Sequence, residues 1–171
     1  MSQSPAIQKF IAHWRTLIKD GLAPSLQDFL GLPNPLFQPF VVLLDVVSST
    51  EVNIRLMGTG VVQLTGQELT KTNSLDMYAP HLRQQAGRNC VAMVKQPCGE
   101  MSERLVTRAG GLMTPVSRIA LPLVCKTGQG CLVAFIDARE SVGEGQSMSV
   151  VHEIRSSEWI DIGAGVPDHA A

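Results

Sequence analysis

The residues that could carry chemistry in this chain are few and scattered. Its four cysteines stand at 90, 98, 125 and 131, and no two of them form a C-x-x-C pair. A thiol attacks or ligates as the thiolate, and this spacing offers neither a redox pair nor a paired metal site. Reduced, packed thiols are expected. Cys90 has the most suggestive setting, the quartet GRNC at 87 to 90 inside HLRQQAGRNCVAMVKQP. The four histidines, 13, 81, 152 and 169, show no paired ligand spacing and read as surface or hydrogen-bonded side chains. No serine, histidine and acid group by sequence order into a nucleophilic constellation, and no glycine-rich loop follows a strand in the form a nucleotide phosphate requires. Asp45 and Asp137 fall near strand ends and read as solvated carboxylates. The chain is not expected to be an enzyme, and no metal or cofactor is expected.

Composition bounds the class. With 171 residues, 44% hydrophobic and 17% charged, the chain is expected to fold around one core with an extension. The net charge is −1 and no lysine or arginine run occurs, so nucleic acid is not an expected partner. The most apolar stretch, PFVVLLDVV from Pro39 to Val47, is interrupted by Asp45 and falls short of the roughly 20 residues of a membrane span. MSQSPAIQKF lacks the basic region and apolar block of a secretory signal. A cytoplasmic location without membrane contact is the expectation.

The elements follow from periodicity. Ile7, Phe10, Ile11, Trp14, Leu17 and Ile18 recur at spacings of three and four and predict an amphipathic helix within residues 1–22. Ser4 caps it, Pro5 suits its first turn and Gly21 supplies a left-handed stop. Residues 23–39 form a proline-rich connector with room for a short helix around Leu26 to Leu30. Phe40 to Val46 is a nearly all-apolar strand, and after the turn SSTE, Val52, Ile54 and Leu56 alternate with Asn53 and Arg55. Short helical pieces fill residues 60–88, broken by Gly66, TKTNS and Pro80. A longer helix opening near His81 carries Leu82, Ala86, Cys90, Met93 and Val94 on one stripe. Strands are predicted at Gly99 to Thr107, Thr114 to Cys125 and Cys131 to Asp137, with turns at AGG (109 to 111) and KTGQG (126 to 130). Pro122 implies an edge position or an interrupted ladder. Residues 139–171 are a C-terminal extension: an exposed loop, then partial order where Met148, Val150, His152 and Ile154 alternate.

This order, with FVVLLDV, LMGTGVVQLTGQEL at 56 to 69, SLDMYAP, RIALPLV and CLVAFID, resembles a family of small bacterial PAS proteins with an added amino-terminal helix, over about residues 5 to 138. The resemblance implies an α+β fold at 40–138: a five-stranded antiparallel sheet with helices on one face, enclosing a small cavity whose occupancy alters the sheet or flanking helices. GRNC also matches the start of the motif by which light-sensing PAS domains hold a reactive cysteine. Here it lies too late, inside the long helix, and is followed by VAMV; neither Val106 to Arg108 nor Arg118 to Cys125 supplies an Asn or Gln for a flavin ring. Haem sensors of this fold use a histidine on the long helix, whereas His81 stands only at its start and reads as a capping or surface residue.

The residues expected to point between helices and sheet are Leu44, Leu56, Val61, Leu64, Tyr78, Leu82, Cys90, Met93, Val106, Leu123 and Phe135, with Tyr78 the main polar group among them. If they leave an open space, its ligand is small and largely apolar. If they close it, the chain is a structural interaction module with a filled core. The expected role is a stand-alone sensory module that acts through a signalling protein. Ile7, Phe10, Ile11, Trp14, Leu17 and Ile18 form a stripe wide enough to contact both their own domain and a second chain, and a homodimer through this helix is expected.

Overall fold

The computed structural model describes residues 4–108, 113–138 and 148–168. The turn expected at 109 to 111, the loop at 139 to 147 and His169 lie outside the described residues. Helices α1 (Pro5–Thr16) and α2 (Leu26–Gly31) precede strands β1 (Val41–Val46) and β2 (Val52–Met57). Helix α3 (Thr59–Thr65), a 3-10 turn at Ser74–Met77 and helix α4 (Pro80–Lys95) come next. Strands β3 (Cys98–Arg108), β4 (Met113–Leu123), β5 (Gly130–Asp137) and β6 (Met148–Asp161) complete the order. Every strand pairing is antiparallel, in the order β2-β1-β5-β4-β3-β6. The fold is α+β, as the resemblance implies, but the sheet has six strands rather than five. The sixth comes from the C-terminal extension and covers the free side of β3, so β6 is an edge strand.

The sheet is buried on both faces: the helices of residues 40–138 cover one face, as expected, and α1 and α2 cover the other. Along β1, Val42, Leu44 and Val46 join one core with α3 and α4, while Val41 and Leu43 join a second core with α1, α2 and Phe37. Two buried faces leave no polar alternation, which explains the unbroken apolar run at Phe40 to Val46. The second core is aromatic: Phe10 stacks on Phe135 at 4.9 Å and meets Phe37 edge-on at 5.4 Å. The Trp14 indole N–H donates to the Pro122 carbonyl at 3.2 Å, fastening α1 across β4. Ser4 Oγ accepts from the Ile7 amide at 3.1 Å as predicted, but α1 ends at Thr16, short of Gly21.

Two further details differ from the sequence reading. The β1–β2 register pairs Leu43 with Leu56 and Leu44 with Ile54, so Arg55 is an extra, bulged residue. A bulge breaks the two-residue alternation. Ile54 and Met57 therefore point inward, and Leu56 is 40% exposed on the opposite side. Arg55 lies 2.7 Å from Asp45, which is thus ion-paired rather than a freely solvated strand end. Pro122 sits beyond the last β3–β4 pair, Glu100 with Ala120, so its missing N–H falls where that ladder has already stopped. Among the described residues no helix is long and apolar enough to cross a membrane.

Candidate functional site

Between the sheet and the layer of α3, the 3-10 turn and α4 lies a cavity of about 100 Å³. Leu44, Ile54, Val61 and Val106 give it aliphatic walls, and Val150 and Val151 of β6 close one side. The side chains of Tyr78, Arg104 and Arg118 border it too, though the polar surface they leave open to it is small. Ladder periodicity places them there. On β3, Glu100, Ser102, Arg104 and Val106 alternate onto the cavity face, and Arg118 of β4 stands directly opposite Ser102.

These groups form one buried cluster. Glu100 is 3% exposed, Arg104 7% and Arg118 5%. Arg118 donates to Glu100 Oε2 from Nη1 at 3.0 Å, while Arg104 Nη2 lies 3.7 Å from the same oxygen, an ion pair but too long for a hydrogen bond. Arg104 donates from Nε to Ser102 Oγ at 2.9 Å and from Nη1 to the Tyr78 hydroxyl. Its guanidinium carbon also lies 5.1 Å from the Tyr78 ring centre, within range of a cation–π contact. Glu100 Oε1 accepts from Asn89 Nδ2 at 2.9 Å and from Ser157 Oγ at 3.1 Å. Burial is the largest single influence on Glu100 and pushes its pKa up. Arg118, Arg104, Asn89 and Ser157 together outweigh it and hold the carboxyl below its ordinary value.

GRNC can now be read in place. Gly87 lets α4 approach the β1–β2 turn, since a Cβ there would sit 1.8 Å from the Ser49 carbonyl oxygen. Asn89 anchors Glu100, and Cys90 lines the cavity. Burial pushes the Cys90 thiol up to about 11, so the protonated form dominates near neutral pH.

Of the residues expected at the cavity, Leu44, Val61, Tyr78, Cys90 and Val106 line it. Leu64, Leu82 and Met93 pack in the same core without lining the cavity. Three are on the other side of the sheet: Leu123 and Phe135 lie in the core beneath α1, and the bulge turns Leu56 away. The residues expected at a dimer contact lie against their own sheet. Ile7, Phe10, Ile11, Trp14 and Leu17 are buried within this chain, and Ile18 packs partly against the same core. His81 is exposed at the start of α4. Among the described residues no cluster of three or more His, Cys, Asp or Glu side chains could hold a metal.

The sequence reading missed Glu100, Arg104 and Arg118. The signal was present: with Val106 inward, period two carries Arg104, Ser102 and Glu100 to the same face. Arg118 was hidden by placing Leu123 inward, which assigns the wrong parity to all of β4.

No family model and no curated protein sequence matches the chain. Solved structures do. The PAS domain of a protein from Colwellia psychrerythraea is similar at 11% identity and a TM-score of 0.46, covering 57% of this chain and 82% of that one. A fungal LOV domain photoreceptor, from work relating blue light to oxidative stress, is similar at 14% identity and a TM-score of 0.48, covering 78% of this chain and 94% of that one.

Proposed function

We propose that the chain is a sensory module in which a small molecule occupies the cavity and the edge strand β6 reports its presence to a partner protein. The observation that carries this reading is the double attachment of β6 to the site. Val150 and Val151 form part of the cavity wall, and Ser157 donates to Glu100, the carboxylate that both cavity arginines face. β6 also accepts from the helical layer, through the Val151 carbonyl and the Ala79 amide at 2.9 Å. An occupant that moves either arginine therefore pulls on the strand at the sheet's edge. Energetics favour an occupant: filling a space of about 100 Å³ recovers contacts on the order of 2 kcal/mol. Its size suits a small molecule, being well below the roughly 300–1,000 Å³ of sites for drug-sized ligands.

Mass spectrometry of the purified protein, native and then denatured, tests the reading. A small molecule released on denaturation is expected, together with faster amide exchange in β6 once it is removed. A chain that carries nothing, and whose β6 exchange no small molecule alters, would instead be an interaction module with a filled core.

A further inference from the structure

The charges in the cavity wall do not balance. Arg104 and Arg118 both line the cavity, and Glu100 is the one carboxylate among the described residues within ion-pair distance of either. Arginine stays protonated at any pH the protein experiences, so the cluster carries one excess positive charge. Asn89, Ser102 and Ser157, which complete its hydrogen bonds together with the Tyr78 hydroxyl, are uncharged amide and hydroxyl groups. An excess buried charge is costly unless a counter-charge meets it. Opposite the arginines, Leu44, Ile54 and Val61 offer no polar atom from their side chains. A fitting occupant has one anionic end and one aliphatic end.

On the reading of this cavity as a ligand site, we propose that it binds a short-chain carboxylate, with the carboxylate group against Arg104 and Arg118 and the alkyl end among Leu44, Ile54 and Val61. Guanidinium groups match a planar carboxylate through paired N–H donors. Phosphate or sulfate would spread polar oxygens over aliphatic walls, and a dianion would overcompensate one excess charge. The volume selects chain length. Cavities of about 150 Å³ admit benzene, with six non-hydrogen atoms, so about 100 Å³ has room for roughly four or five, the size of propionate, and butyrate probes the upper limit.

The test titrates the full chain, followed by calorimetry and amide NMR at constant ionic strength, with sodium propionate, sodium butyrate, butyramide and 1-butanol. Saturable binding of propionate and butyrate is expected, with shifts at cavity residues and butyramide at least about tenfold weaker. Glu100→Gln, which removes the competing carboxylate at nearly constant shape, is expected to tighten butyrate about threefold or more. Arg118→Gln is expected to weaken it at least about tenfold. If Arg118→Gln does not fold, the comparison of butyrate with butyramide in the unmodified protein decides alone. Butyramide or 1-butanol binding as well as butyrate would overturn the carboxylate assignment and leave the ligand cavity standing. If none of the four binds at millimolar concentration, both the assignment and the reading of the cavity as a ligand site fall.

Discussion

Glu100 carries more consequences than any other single residue, because six side chains answer to its two oxygens or to the arginines beside it. Its carboxyl is held below its ordinary value in the folded state, against about 4.3 in an unfolded chain. The unfolded state therefore takes up this proton first as acid is added. The resulting stability is complete above about pH 4.3 and is lost as pH falls from there through the lower folded pKa. Thermal melts should show the unmodified protein losing stability in acid more steeply than Glu100→Gln, and parallel curves would contradict the assignment. Reactivity of the thiols is a second residue-scale test. Burial pushes Cys90 and Cys98 up to about 11, so a thiol reagent near neutral pH should modify both only on unfolding, while half-buried Cys125 reacts in the native protein. Peptide mass spectrometry after timed labelling distinguishes them. The sequence made Cys90 conspicuous because cysteine is rare and its neighbours were suggestive. Asn89, one position away, makes the contact that holds the site, and an asparagine on a helix gives no such signal until its partner across space is known.

Elements with local causes were legible. The serine before Pro5, Gly66 at the end of α3 and Asn73 before the 3-10 turn each perform the capping or turn role their chemistry predicts. The bulge at Arg55 was not legible, because Val52, Ile54 and Leu56 form a valid alternation and Met57 is also apolar. Mutation separates the two registers. Ile54→Asp places an unpaired carboxylate in the core and should cost several kcal/mol against a total of about 5–15, whereas Leu56→Asp should cost less than about 1 kcal/mol. Denaturant titration of both variants measures this, and a Leu56→Asp protein that fails to fold would restore the unbulged register. The same ambiguity misplaced Leu123 and Phe135. Where both faces of a sheet are apolar, hydrophobicity fixes a strand without fixing its parity, and only the buried charges on β3 and β4 mark the cavity side.

At the scale of the molecule, the sheet is the middle layer of three. α1 was predicted correctly as an amphipathic helix, but its partner surface was not legible because that surface is built from β1, β4 and β5, far along the chain. Pairing with a second copy through this stripe would first require the helix to leave its own sheet. The cost of leaving is large. Ile7, Phe10, Ile11 and Trp14 are buried, and burying a side chain of this size contributes roughly 1.5–3 kcal/mol, so the four together rival the stability of an ordinary domain. Departure would also expose Leu43, Ile119, Leu121 and Phe135 and break the Trp14 hydrogen bond to Pro122. A chain beginning at Ala23 is therefore expected to aggregate or remain unfolded. Trp14→Ala is expected to stay folded while losing about 3–5 kcal/mol. Circular dichroism, denaturant titration and sedimentation velocity of the three proteins check this together. A folded, monomeric chain from Ala23 with near-native stability would show that the helix is an appendage. Unfolding that is rescued by adding a peptide of the first 22 residues would show that it is an integral layer whose place on the sheet is specified by shape.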